Sequence, residues 1–233
     1  MRNVIVTGVP RSGTSWLASV FVNHGFDPGR RAFEESKKYH AKVEPPRWED
    51  PWVLKENNQS FSLSEGHPMM PPDHVWATPS PSFVEEVLSD KKEPWVIKDP
   101  GFCFTLPMWM ELDLDFVVCA TLRHPWSCVK SLNESVSFPE SRCPKIWWRY
   151  MINLVGLSCS IPVNWVSFPE QNGIKSAVGS TGCTYKKTDS FHDIFIHNQP
   201  EDVPDEYRHL LSLYTDLLTP LENREIFEHG TQR

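Results

Sequence analysis

Gly8 and Gly13 carry the G-x-x-x-x-G spacing of a phosphate-binding loop. In an ATP-binding loop of that kind, Lys and then Ser or Thr follow the second glycine. Here the pair is Thr14-Ser15. Glycines let the backbone curl so that successive N–H groups converge on one point, and a helix starting near Thr14 adds the positive end of its dipole. Pro10 and Arg11 lie inside the turn with Ser12, and Arg11 offers a forked set of charged donors. Thr14 and Ser15 add hydroxyls. The set suits an anion, phosphate most of all. The same glycine spacing also fits an ordinary strand-to-helix turn.

Two further positions follow apolar runs in the same way. Lys98 comes after "WVI", where a lysine points into a cleft or snorkels to solvent. Arg123 ends the run 116–122, and Ser131 lies about two helical turns later. Together they could grip a second phosphate, although an arginine after a strand is also often simply solvated.

The elements that must position these residues alternate. Strands are expected over 3–7, 95–97, 116–122 and 163–168. Helices are expected over 14–24, from Ser82 with Glu85 in a capping box, from Pro125 to about Leu132, over 145–157 and over 205–218. This pattern predicts an α/β, P-loop-type three-layer fold: a central, mostly parallel β-sheet flanked by helices, with ligands at the carboxyl ends of the strands. Residues 1–233 form one expected domain, with a loop-rich insertion at about 25–81, where Pro, Trp, His and charges mix with little period.

Composition narrows the class. Hydrophobic residues make up 39% and charged residues 23% of the chain, as in a globular protein. A net charge of −7 argues against nucleic acid as the main partner. No apolar run approaches the ~20 residues of a membrane span. Arg2-Asn3 leads straight into a strand-like run, so no secretory signal is expected. The six cysteines form no C-x-x-C pair, which argues against zinc. Cys103, Cys119, Cys128 and Cys159 read as reduced core residues, and a cytoplasmic location follows from them.

"PRSGTSW" at 10–16, "KDP" at 98–100 and "RHPWSCVKS" at 123–131, in that order, resemble the sulfotransferase family. These P-loop-fold enzymes use 3′-phosphoadenosine-5′-phosphosulfate (PAPS). Arg11 in the loop and the Lys98–Arg123 spacing resemble the tyrosylprotein or carbohydrate type. The resemblance implies that Pro10, Arg11, Ser12, Gly13, Thr14 and Ser15 hold the 5′-phosphosulfate, and that Arg123 and Ser131 hold the 3′-phosphate. It also implies that Trp16 stacks on adenine. Lys98 and Arg11 would stabilise the leaving oxygen without a metal. Glu34 or Glu35 would be the base, ahead of His40, His67 or His74; an acidic surface helix explains the two glutamates equally well. The R-K-G loop of many members has no match here, and Tyr185, Lys186 or Lys187 would stand in for it. The acceptor would be a small molecule, carbohydrate or peptide. Trp48, Trp52 and Trp76 form either an aromatic wall of its cleft or core. A P-loop small-molecule kinase and a non-catalytic nucleotide-binding protein are the competing readings.

Overall fold

The computed structural model describes residues 1–39, 47–73, 75, 80–136, 139–186, 205, 208, 210–217 and 219. His40, His74, Trp76 and Lys187 lie outside them.

Four strands form one sheet: β1 (Asn3–Gly8), β2 (Val96–Lys98), β3 (Phe116–Arg123) and β4 (Val163–Phe168). Their order is β2-β1-β3-β4, and all three pairings are parallel. β1 is buried along its whole length and β3 along all but its ends, as expected of strands covered on both faces. Alternation then sorts the side chains. Val4 and Val6 face one layer with α1 (Thr14–Asn23) and α8 (Ile174–Gly179). Ile5 and Val118 face the other, with α3 (Pro51–Leu63), α4 (Pro81–Leu88) and α5 (Phe102–Met110). Ala120 and Leu122 continue that second layer onto α6 (Pro125–Val136) and α7 (Cys143–Ser158). The result is the three-layer α/β architecture.

The second helix, α2 (Arg30–Tyr39), and α3 lie in the segment expected to be loop-rich. Asp50 caps α3 by accepting from the Trp52 N–H at 2.9 Å, with Pro51 at the first helical position. The cap of α4 is Ser80, not Ser82: its hydroxyl accepts from the Phe83 N–H, and Pro81 occupies the first turn. Cys159 is a second correction. It follows the last residue of α7 and is exposed, unlike the buried Cys103, Cys119 and Cys128. Within the expected C-terminal helix, residues 210–217 are helical.

Candidate functional site

Because every strand runs the same way, Gly8, Lys98, Arg123 and Phe168 all end at one edge of the sheet. The register sets Lys98 beside Val6, Thr121 beside Gly8, and Phe168 beside Arg123. The loop after β1 therefore emerges between Lys98 on one flank and Arg123 on the other.

The loop is a tight turn held by the sheet beneath it. Arg11 has φ 70 and Gly13 φ 100, both left-handed. A non-glycine residue there is uncommon, and such strain gathers at functional sites. Ser12 is buried; its N–H bonds the Val9 carbonyl and its hydroxyl meets Thr121 Oγ1 at 2.5 Å. Ser12 thus anchors the loop to β3 through its side chain. Gly13 lies against Phe168: a Cβ on Gly13 would sit 2.6 Å from the ring's Cγ. Helix α1 begins at Thr14, and no side chain caps it at Gly13. First-turn amides have no intrahelical partner, so they are donors aimed out of the loop.

Two arginines join above this turn. Arg11 Nε donates to Ser131 Oγ on α6 at 2.9 Å, and Arg123 donates through a terminal nitrogen to the Arg11 carbonyl at 2.8 Å. The Arg123 guanidinium lies 5.4 Å from the Phe168 ring centroid, within cation–π range. The residues expected to form separate 5′ and 3′ clamps thus meet in one cluster. Phe168 floors both Gly13 and Arg123, and nothing in its local sequence signals that role.

Across the loop, Lys98 is 2% exposed, and its Nζ lies 2.5 Å from Glu49 Oε1. The Glu49 side chain keeps 22% of its surface in solvent, so it is less enclosed than its partner. Beneath the pair, Asp99 is buried. Asn57 Nδ2 donates to it at 2.9 Å and the Gly101 N–H at 2.7 Å. Burial first, then the Glu49 charge, pushes the Asp99 carboxyl up from 3.8 to about 6. Its hydrogen bonds and the Lys98 charge oppose that rise without cancelling it. Asn57 Oδ1 in turn accepts from Thr105 on α5 at 2.8 Å, so the network is tied to two helices.

The other expected residues have surroundings of their own. Glu34 projects from α2 with its side chain 63% exposed, 4.0 Å from Arg30. Glu35 is half-buried on the same helix. It is Glu49 that meets Lys98, and its sequence context, "WED", carries no motif. Trp16 is 5% exposed and packs on Phe168 at 5.3 Å between ring centroids. Tyr185 stacks on His24 at 5.6 Å, and the Lys186 N–H bonds His24 Nε2 at 2.9 Å. His24 ends α1, roughly 15 Å along the helix axis from Gly13. The neighbouring Thr181 carbonyl accepts from the Arg2 N–H, at the amino edge of the sheet. Tyr185 and Lys186 therefore stand at the far end of α1 from the loop. Trp48 is core, with its indole N–H on Ser19 Oγ, while Trp52 lies under the Arg31 guanidinium. His67 closes a small turn with Met70.

Among the described residues, no helix is long and apolar enough to cross a membrane, and no group of three or more His, Cys, Asp or Glu could hold a metal ion. No protein-family model and no curated protein matches the sequence. Solved structures do match. The sulfotransferase domain from the curacin biosynthetic pathway superposes with a TM-score of 0.53 at 11% identity, covering 94% of this chain and 98% of that one. The sulfotransferase domain from the Synechococcus PCC 7002 olefin synthase superposes with a TM-score of 0.48 at 13% identity, covering 79% and 74%. The chain has the fold of a sulfotransferase domain.

Proposed function

We propose that the protein is a sulfotransferase that moves a sulfuryl group from PAPS to a hydroxyl or amine of an acceptor. One observation carries this reading. On that fold, a phosphate loop without the ATPase lysine has its arginine joined through Ser131 to α6 and through its carbonyl to Arg123. Two guanidinium groups and the Ser131 hydroxyl gather there above the first-turn amides of α1, which fits an anion charged at both ends.

When bound, PAPS supplies a sulfuryl group already joined to a phosphate leaving group. The α1 amides, Arg11, Thr14 and Ser15 hold the 5′ end, with Pro10, Ser12 and Gly13 shaping the loop. Arg123 and Ser131 hold the 3′-phosphate. Lys98 keeps a positive charge beside the loop with little water to dilute it, where the leaving oxygen gains negative charge. Glu49, in place of Glu34 or Glu35, is the partly exposed carboxylate that takes the acceptor's proton. Arg11 in the loop favours the tyrosylprotein or carbohydrate type of acceptor: a phenol, sugar or peptide hydroxyl.

The test is incubation with radiosulfur-labelled PAPS and a panel of phenols, oligosaccharides and tyrosine peptides. Label should pass to an acceptor with one equivalent of adenosine 3′,5′-bisphosphate released. Phosphoryl transfer from Mg–ATP to the same panel, with PAPS inert, would reverse the reading in favour of a kinase.

A further inference from the structure

Glu49 and Asp50 are consecutive carboxylates, and each is met by a lysine of one short segment. Lys98 Nζ lies 2.5 Å from Glu49 Oε1, and Lys91 Nζ lies 2.6 Å from Asp50 Oδ2. The second pair is sealed from solvent, with side-chain exposures of 0% for Lys91 and 1% for Asp50. Arg31 adds its Nε at 3.6 Å from the same Asp50 oxygen, lies 4.3 Å over the Trp52 ring, and donates to the Val87 carbonyl at 3.0 Å. Gly29 makes room for the lysine: at φ +83, a Cβ there would stand 2.7 Å from Lys91 Nζ.

Stability alone does not account for such a pair. Two charges taken out of water are expensive to desolvate, and apolar residues of the same shape commonly do as well. What a buried pair fixes is position. The stretch is also pinned on its other side. Trp48 sits at φ 53, held by its N–H on Ser36 Oγ at 3.0 Å and its indole N–H on Ser19 Oγ at 2.7 Å. Glu49 is thus suspended between a strained, doubly bonded tryptophan and a buried ion pair, and its carboxylate is delivered onto Lys98.

We propose that Lys91 and Asp50 are positioning residues: with Lys98 they form a two-point clip that fixes the Glu49 carboxylate at the carboxyl end of β2. Neither Lys91 nor Asp50 touches the reacting atoms; they act through Glu49. The catalytic use of the clip rests on the sulfuryl-transfer reading above, in which Glu49 is the base. Its placement of Glu49 does not.

The experiment uses the full chain carrying Asp50→Asn and Lys91→Met together. The pair removes both charges at once, and Asn keeps the α3 cap, so the fold is retained. A crystal structure of the double variant should show Glu49 withdrawn from Lys98. Turnover should fall roughly a hundredfold, as when a reacting group is misplaced by about 1 Å. Adenosine 3′,5′-bisphosphate affinity and the melting midpoint should stay near wild type, a split that a merely structural role would not produce. Glu49 still bonded to Lys98 in that crystal would overturn the clip, and so would displacement of Glu49 with turnover unchanged. If wild-type protein transfers no sulfuryl group, the functional reading falls, and the crystal distance still decides the clip.

Discussion

Replacing Lys98 with Met tests the site where charge is most concentrated. The lysine is 2% exposed and its Nζ lies 2.5 Å from Glu49 Oε1, so the substitution removes a buried cation and strands a carboxylate. Breaking a buried pair costs about 3–5 kcal/mol. Glu49 retains 22% of its side-chain surface in solvent, and water recovers part of that loss, so the stability cost lies near the lower end of the range. Asp99 also loses the Lys98 charge that holds its pKa down, and so binds its proton more firmly than at about 6. The catalytic loss is separate. A donor aimed at developing charge contributes roughly 3–4 kcal/mol, on the order of 10²–10³ in turnover. A second variant separates the two effects. Lys98→Met with Glu49→Gln removes both charges and should return to within about 1 kcal/mol of wild-type stability, with no recovery of turnover. Urea denaturation measures the first quantity, and bisphosphate release at saturating PAPS the second. Turnover per folded molecule within a few-fold of wild type in either variant would refute the role given to Lys98.

Arg123→Ala removes a charged hydrogen bond to the Arg11 carbonyl and, under the proposed function, the cation that meets the 3′-phosphate. Bisphosphate affinity should drop by about 1.5–3 kcal/mol, on the order of tenfold to a hundredfold by calorimetry, with AMP affinity changed far less. Gly13→Ala places a Cβ 2.6 Å from Phe168 Cγ at φ +100. The backbone alone costs about 1–3 kcal/mol, so both the melting midpoint and bisphosphate binding should fall. Asp99→Asn should alter how stability depends on pH. In the folded protein Asp99 keeps its proton up to about 6, whereas an unperturbed carboxyl loses it near 3.8. Between those values the folded state binds more protons, so wild-type stability falls with rising pH relative to the variant. Denaturation curves at pH 4 and pH 7 check the sign, and an identical pH dependence in both proteins would contradict it.

β1, β2 and β3 are legible as short apolar runs that end in Gly, Lys or Arg, and β4 falls at its expected bounds, Val163–Phe168. Gathering Gly8, Lys98 and Arg123 at one edge followed from parallel order alone. Helix α5 was not legible. Its sequence, "FCFTLPMWM", is apolar almost throughout and contains Pro107, and a helix buried on nearly every side shows no polar face to set a period. Glu49 was hidden for a different reason. Its environment comes from Lys98 on a distant strand and from Lys91 under Asp50, contacts that no local pattern encodes. The family resemblance points to Glu34 or Glu35, yet α2 turns the Glu34 side chain to solvent. Phe168 read as one more apolar strand residue, although its ring supports both Gly13 and Arg123.

In the proposed function, the loop at Gly8–Ser15 and the Arg123–Ser131 pair together bind an adenosine nucleotide phosphorylated at both ends. Calorimetry of the wild-type chain against adenosine 3′,5′-bisphosphate, AMP and Mg–ATP tests it most directly. The 3′-phosphate should add two charged contacts, so the bisphosphate should bind about a hundredfold more tightly than AMP. Equal affinity for AMP, or a preference for Mg–ATP, would contradict the claim.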